Sequence, residues 1–285
     1  MSGPFPPISD QPQGATVKRL FLCRHGETAA NASGVLQGSG IDNPLNEKGV
    51  FQATCLRNQL KDIHFDIIVT SKLIRAHQTA KIVAEYHPNT EIIQIEDFAE
   101  ISWGVWEGAA SPNLPSLLSS WEGGDYNGKA PSGESPIDVE ARSVPALYKL
   151  VLERPEKVFL FVLHGRLLRI MLSSMLFRSL DFMSEFTHHN TCINLVDTII
   201  ESDPEKFSDT PLIDKFKLFN SEKKVLELDD NVHLTQVNAA QHHQKAVSKI
   251  GKPAISTSRF QHPRMLKFIP VLLDDRRHLP SENSG

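Results

Sequence analysis

The run KVFLFVLHG, residues 157–165, restricts the possible folds more than any other stretch of the chain. Val158, Phe159, Leu160, Phe161, Val162 and Leu163 are apolar in succession. A strand with one face in water alternates apolar and polar side chains. This one does not, so both of its faces must be covered, and it belongs at the centre of a parallel sheet between layers of helices. The rest of the chain supplies its neighbours. VKRLFLC (17–23), FDIIVTS (65–71) and TEIIQIEDF (90–98) read as further strands. NEKGVFQATCLRNQL (46–60), KLIRAHQTAKIVAEYH (72–87) and LLRIMLSSMLF (167–177) carry apolar residues at helical spacing. So does DVEARSVPALYKLVLER (138–154), where Pro145 either kinks the helix or breaks it. Strands alternating with helices predict a doubly covered α/β sheet. CINLVDTII (192–200) and FKLFNSEKKVLELD (216–229) read as two antiparallel strands at its edge.

The 285 residues suffice for one large domain or two small ones, and a hydrophobic content of 40% can furnish its core. Residues 1–16, rich in Pro, Gly, Gln and Ser, are expected to form a disordered arm, with the ordered domain over 17–245. Residues 246–285 carry seven Lys/Arg against Asp274, Asp275 and Glu282 and are expected to be a flexible basic tail. MLKFIPVLL (265–273) within it is the exception, an apolar cluster suited to docking. The Pro/Gly/Ser-rich stretch 108–136 reads as a long functional loop with a short helix near 114–121.

A formal net charge of −4 gives no global attraction to nucleic acid or a membrane surface. No segment reaches the ~18 apolar residues of a membrane span. The N-terminus lacks a basic stretch followed by an apolar run, so no signal peptide is expected. Cys23, Cys55 and Cys192 are scattered and lack CxxC spacing, which fits reduced thiols and a cytoplasmic or nuclear location.

Reactive groups in open α/β sheets collect at the carboxyl ends of the strands. FLCRHG delivers Arg24 and His25 there, FVLHGR delivers His164 and Arg166, IIVTSKLIR leads to Arg75, and IIQIEDFAE leads to Glu100. That set suits phosphate. Guanidinium groups match phosphate oxygens and keep their charge. An imidazole between arginines is held neutral and so can attack phosphorus. Glu100, in a loop that also offers Asp97 and Glu107, is placed to protonate a leaving oxygen and later deprotonate water. The arginines neutralise phosphoryl charge themselves, so no metal or cofactor is expected.

LCRHGETAAN resembles the opening signature of the histidine phosphatase superfamily, in its phosphoglycerate-mutase-like branch. The resemblance continues in order through LQGSGIDNPLNEKGVFQA, VTSKLIRAHQTAKIV, FAEISWGVWEG, PSGES and LHGRLLR, roughly residues 20–169. It implies a three-layer α/β/α sandwich with a mostly parallel central sheet. It also implies that His25 is the nucleophile, Glu100 the proton donor, and Arg24, Arg75 and His164 the groups holding the phosphoryl unit. Asn31 and Gln37 would reach the phosphate or the adjoining substrate, and the Gly165 amide would assist. Glu27 and Glu107 would be structural. The substrate would be a small phosphorylated metabolite or a phosphoprotein.

Several positions depart from the family pattern. Arg166 stands where relatives usually carry a second glycine, which narrows the pocket or adds a cation. Ala30 replaces a common Trp, and the segment between WEG and GES is short for a cofactor-dependent mutase. The balance therefore favours a phosphatase over a phosphoglycerate-type mutase or a non-catalytic phospho-ligand binding module. Arg166, Lys72 and Lys129 are candidates for recognising a second anionic group. His188–His189 and His242–His243 are adjacent pairs that cannot both face one ion, so they predict no metal site. Trp103, Trp106 and Trp121 are expected to pack the long loop or wall the substrate.

Overall fold

The computed structural model describes residues 5–109, 113–202 and 266–280, and the backbone of 217–219 and 225–227. Its centre is the apolar run singled out above. Strand β4 (Val158–Leu163) lies between β1 (Ala15–Arg24) and β2 (Ile67–Thr70), parallel to both, and β3 (Glu91–Gln94) follows β2. On the far side of β1, β5 (Ile193–Glu201) runs antiparallel, giving a mostly parallel mixed sheet.

Alternate strand residues feed two separate cores, as the pleat requires. On one face Leu20, Leu22, Val69, Phe159 and Phe161 pack under α5 (Pro136–Glu153) and α6 (Gly165–Phe177) through Val144, Leu147, Leu168 and Met171. On the other, Phe21, Cys23, Ile68, Leu160 and Val162 meet α2 (Glu47–Leu60) and α3 (Ile74–Ala84) through Leu56, Leu60, Ala76, Ala80 and Val83. Three layers result, as expected. The helix starts are encoded locally. Asn46 accepts from the Gly49 amide at 2.7 Å, and Ser135 with Asp138 forms a reciprocal cap ahead of Pro136. Helix α5 continues through Pro145 without a break.

Two boundaries differ from expectation. Residues 5–14, expected to be disordered, are tied to the sheet. Arg19 is buried in β1 and forms a two-bond ion pair with Asp197 (2.7 and 2.8 Å). Its remaining donors reach the Pro6 and Pro7 carbonyls, Ser9 also donates to Asp197, and the Phe5 ring stands edge-on to Phe21. A buried guanidinium has five donors to satisfy, and the N-terminal segment supplies the acceptors that Asp197 cannot. At the other edge, β5 pairs not with 216–229 but with β8 (Leu266–Asp275), drawn from the expected tail. Leu266, Phe268 and Leu272 are buried, so the apolar cluster covers an edge that would otherwise be open. The backbone at β6 (Lys217–Phe219) and β7 (Val225–Glu227) forms a separate antiparallel pair. The rest of 203–265 lies outside the described residues.

In the long loop, α4 (Leu114–Glu122) carries Trp121, which stacks on Trp103 at 5.9 Å and donates to the Gly128 carbonyl. Tyr126 donates to Asp181, so this loop is anchored at the C-terminal end of its helix.

Candidate active site

Strands β1 and β4 are parallel neighbours with Arg24 opposite Leu163, so the residues that follow each strand emerge side by side. The ring centroids of His25 and His164 lie 5.2 Å apart, and the His25 amide donates to the Leu163 carbonyl at 3.0 Å. Both rings are buried.

The tautomer of His25 follows from its contact. Its Nδ1 lies 2.6 Å from the Gly26 carbonyl oxygen, which only accepts, so Nδ1 bears the proton and Nε2 the lone pair. Burial holds the His25 pKa well below 6.5, with the charges of Arg75 and Arg24 adding to the effect. His164 is lowered well below 6.5 in the same way, chiefly by burial and then by Arg75 and His25. Its Nε2 faces the Ser71 hydroxyl at 2.7 Å.

The arginines are oriented from behind. Arg75 is buried and donates to the Gly38 carbonyl at 2.7 Å and the Ile41 carbonyl at 3.1 Å. Arg24 donates to the His188 carbonyl at 2.8 Å. Gln37 accepts from the Thr28 hydroxyl at 2.8 Å. Each has a fully buried nitrogen without a partner: Nε of Arg24, Nε of Arg75 and Nε2 of Gln37, to which His164 Nδ1 is added. Buried polar atoms left unpaired are costly and uncommon, so four such nitrogens around one pair of imidazoles mark a place for a ligand's acceptors.

Glu100 sits at the start of α6. Its carboxylate accepts from the amides of Ile101 (3.0 Å), Leu167 (2.8 Å) and Arg166 (3.1 Å). Gly165 packs against Arg24: a Cβ there would stand 3.2 Å from Nε. Asn31 closes the cap of the short helix α1 (Ala29–Ala32), its carbonyl oxygen accepting from Thr28 and Asn190 amides at 3.3 Å. Glu27 pairs with Lys48 at 2.9 Å, whereas Glu107 accepts from the Trp103 amide at 2.9 Å rather than from a cation.

Ser71 was not among the expected site residues, although it follows the end of β2 as His25 follows β1. Thr79, which accepts from the Gly26 amide at 3.0 Å, and Asn190, which donates to the His25 carbonyl at 3.0 Å, were likewise not among them. Ligand atoms of His188, Cys192 and Asp274, one from each, lie within 4.8 Å of one another, although the adjacent histidine pair predicted no metal site. Asp274 already accepts from the His189 ring and amide and the Thr187 hydroxyl, and Arg24 and Arg169 add positive charge nearby. His242–His243 lie outside the described residues.

The profile of the histidine phosphatase superfamily (branch 1) matches residues 20–206. The fructose-2,6-bisphosphatase TIGAR B of Danio rerio is 36% identical over 126 residues, 43% of this chain and 49% of that protein. The chain thus spans about half the length of that relative. The uncharacterized phosphatase PhoE of Bacillus subtilis is 34% identical over 154 residues, 54% of this chain and 75% of PhoE. Among solved structures, a mycobacterial glucosyl-3-phosphoglycerate phosphatase complexed with VO3 superposes with a TM-score of 0.58 at 27% identity. That match covers 64% of this chain and 93% of the other.

Proposed function

The chain belongs to the histidine phosphatase superfamily, and on that premise we propose that it hydrolyses a phosphomonoester through a phosphohistidine formed on His25. The observation that carries this reading is the His25 ring itself. With Nδ1–H tied to the Gly26 carbonyl, the lone pair sits on Nε2 of a neutral imidazole set among guanidinium groups.

In the first step the Nε2 lone pair forms a bond to phosphorus while the ester P–O bond breaks, and Glu100 gives a proton to the leaving oxygen. The charge on the phosphoryl oxygens is met by the free nitrogens of Arg24, Arg75 and Gln37. His164 joins them through Nδ1, in the tautomer that has the Ser71 hydroxyl 2.7 Å away donating to Nε2 and the ring proton on Nδ1. In the second step water attacks phosphorus, the N–P bond breaks, and Glu100 takes the proton. Asn31 and the Gly165 backbone border the same space and contact substrate rather than the reacting atoms. Two arginines supply the charge neutralisation that a divalent ion gives elsewhere, so the reaction is metal-independent.

Purified protein is expected to release phosphate from p-nitrophenyl phosphate in chelator-treated buffer. His25→Ala should abolish turnover, and Glu100→Gln should lower kcat by about 10²–10⁴-fold, the worth of a general acid. Turnover retained by His25→Ala would overturn the nucleophile. A mutase would instead return the phosphoryl group to a second hydroxyl, detected as isomerised phosphoglycerate rather than free phosphate.

A further inference from the structure

Strand β8 begins at Leu266, beyond the residues 20–206 that carry the family match, yet its far end reaches the loop that backs the reacting centre. That loop, residues 187–191, leads into β5 and touches both residues at the β1 mouth. The His188 carbonyl accepts from the Arg24 guanidinium at 2.8 Å, and the Asn190 side chain donates to the His25 carbonyl at 3.0 Å. The Thr191 amide donates to the Arg24 carbonyl at 3.1 Å. A loop can fix a guanidinium only as firmly as the loop is itself fixed.

Asp274, at the end of β8, does the fixing. Its Oδ1 accepts from the His189 amide at 3.0 Å, and its Oδ2 accepts from the His189 ring at 2.7 Å and the Thr187 hydroxyl at 3.1 Å. These bonds bracket His188, whose carbonyl meets Arg24. The carboxylate is buried, where charge-assisted bonds are strong, and the Arg276 guanidinium stands 4.0 Å away. The Asp274 amide donates to the Asn194 side chain at 3.0 Å, and Asn194 donates to the Leu22 carbonyl at 2.9 Å, so the same residue is referenced to the strand that carries Arg24.

The backbone is bent to make this contact. Asp274 and Thr191 both have positive φ, 49° and 59°. Aspartate tolerates the left-handed region, but β-branched Thr191 is an outlier there, of a kind that persists only where its surroundings over-determine it. The Thr191 hydroxyl lies 3.2 Å from Nε2 of His278, in the segment after β8. The pairing of β5 with β8 also shifts register between Ile193 and Leu195 and again between Leu195 and Val196, and irregularities of this kind re-aim strand ends beside active sites.

We propose that Asp274 is a positioning residue for phosphoryl binding: through Thr187 and His189 it fixes the His188 carbonyl, and through that carbonyl the Arg24 guanidinium. The C-terminal strand thus completes a centre that the family-matched residues begin. The inference rests on the reading of Arg24 as a phosphoryl-binding group. Orthophosphate titrated into the full chain by calorimetry reads that group without turnover. Asp274→Asn keeps a side chain that tolerates positive φ, but it turns one acceptor oxygen into a donor that faces a donor in either orientation. It should weaken phosphate binding by about 10-fold, within the 10- to 100-fold that a charge-assisted contact is worth. Arg24→Gln should weaken binding further, and adding Asp274→Asn to it should change Kd no more, because the effect has lost its carrier. Thr187→Val removes one donor and should show a smaller loss that also vanishes in the Arg24→Gln background. Wild-type affinity in Asp274→Asn, or an equal loss with and without Arg24, would overturn the proposal. Phosphate bound by a wild-type protein that turns over no ester would refute the hydrolase reading alone.

Discussion

Acidification from about pH 7.5 to about 5.5 should destabilise the fold by at least about 4 kcal/mol, through imidazoles that burial keeps neutral. His25, His164 and His188 are 2%, 0% and 6% exposed. Burial is the first cause of the lowered pKa in each; Arg75 and Arg24 reinforce it for His25 and His164, and Arg169 for His188, which falls to about 3. In the unfolded chain the same groups titrate near 6.5. As the pH drops below that value the unfolded chain takes up protons and the folded one does not, so stability is lost; above it both states are neutral and stability is flat. Each group contributes about 1.4 kcal/mol over the one pH unit of the window that lies below 6.5, about 4 kcal/mol for the three, and His278, lowered to about 4 chiefly by burial, adds to it. Asp274 and Asp66 carry lowered carboxyl pKa values and titrate only at more acidic pH, so the window isolates the histidines. Guanidinium unfolding followed by tryptophan fluorescence at the two pH values measures the effect. His25→Ala should shrink the pH-dependent loss by about 1.4 kcal/mol, because any cavity cost is the same at both pH values and cancels. Equal stability at both pH values, or wild-type pH dependence in His25→Ala, would refute the argument.

Two further outcomes test the frame around the site. Asp197→Ala leaves the Arg19 guanidinium buried without its carboxylate and should cost about 3–5 kcal/mol, or roughly 6–20 °C in Tm by calorimetry; a wild-type Tm would show that the pair does not anchor residues 5–14. Gly165→Ala places a Cβ 3.2 Å from Arg24 Nε and should lower kcat/KM for p-nitrophenyl phosphate by up to roughly 100-fold with little change in Tm, so unaltered kinetics would remove Arg24 from the reacting geometry.

The central sheet was legible because its signals are local. The β1 and β4 mouths carry Arg24, His25 and His164 within two positions of the last apolar residue, Arg75 follows on the first turn of α3 and Glu100 in the loop after β3, and the parallel strands deliver them to one edge. What escaped notice depends on distant partners. The apolar character of Leu266–Asp275 was visible, but its partner β5 lies across a long stretch of chain and no local signal named it. The N-terminal segment has the composition of a disordered arm, and the missing cue was Arg19, a cation inside a buried strand that had to find acceptors somewhere. Ser71 was readable by the same strand-mouth logic that found His25. The approach of His188, Cys192 and Asp274 was not, since β5 and β8 bring it about from segments with no shared pattern.

The arrangement of unpaired groups also bears on which anion the centre is built for. Arg24, Arg75, Gln37 and His164 are each held by at least one hydrogen bond to backbone or a neighbouring side chain, which orients the buried nitrogen left unpaired. A carboxylate spreads its charge over two oxygens in one plane. A transferring phosphoryl group spreads it over three equatorial oxygens around the line of attack, so donors from three different strand mouths can each find one. The same logic explains why the imidazoles must stay neutral. A protonated His25 would have no lone pair for phosphorus and would add a third cation beside two guanidinium groups already desolvated. Burial and like charge therefore act in the same direction, and under the proposal that His25 is the nucleophile the expected acid sensitivity of the fold follows from keeping that ring neutral.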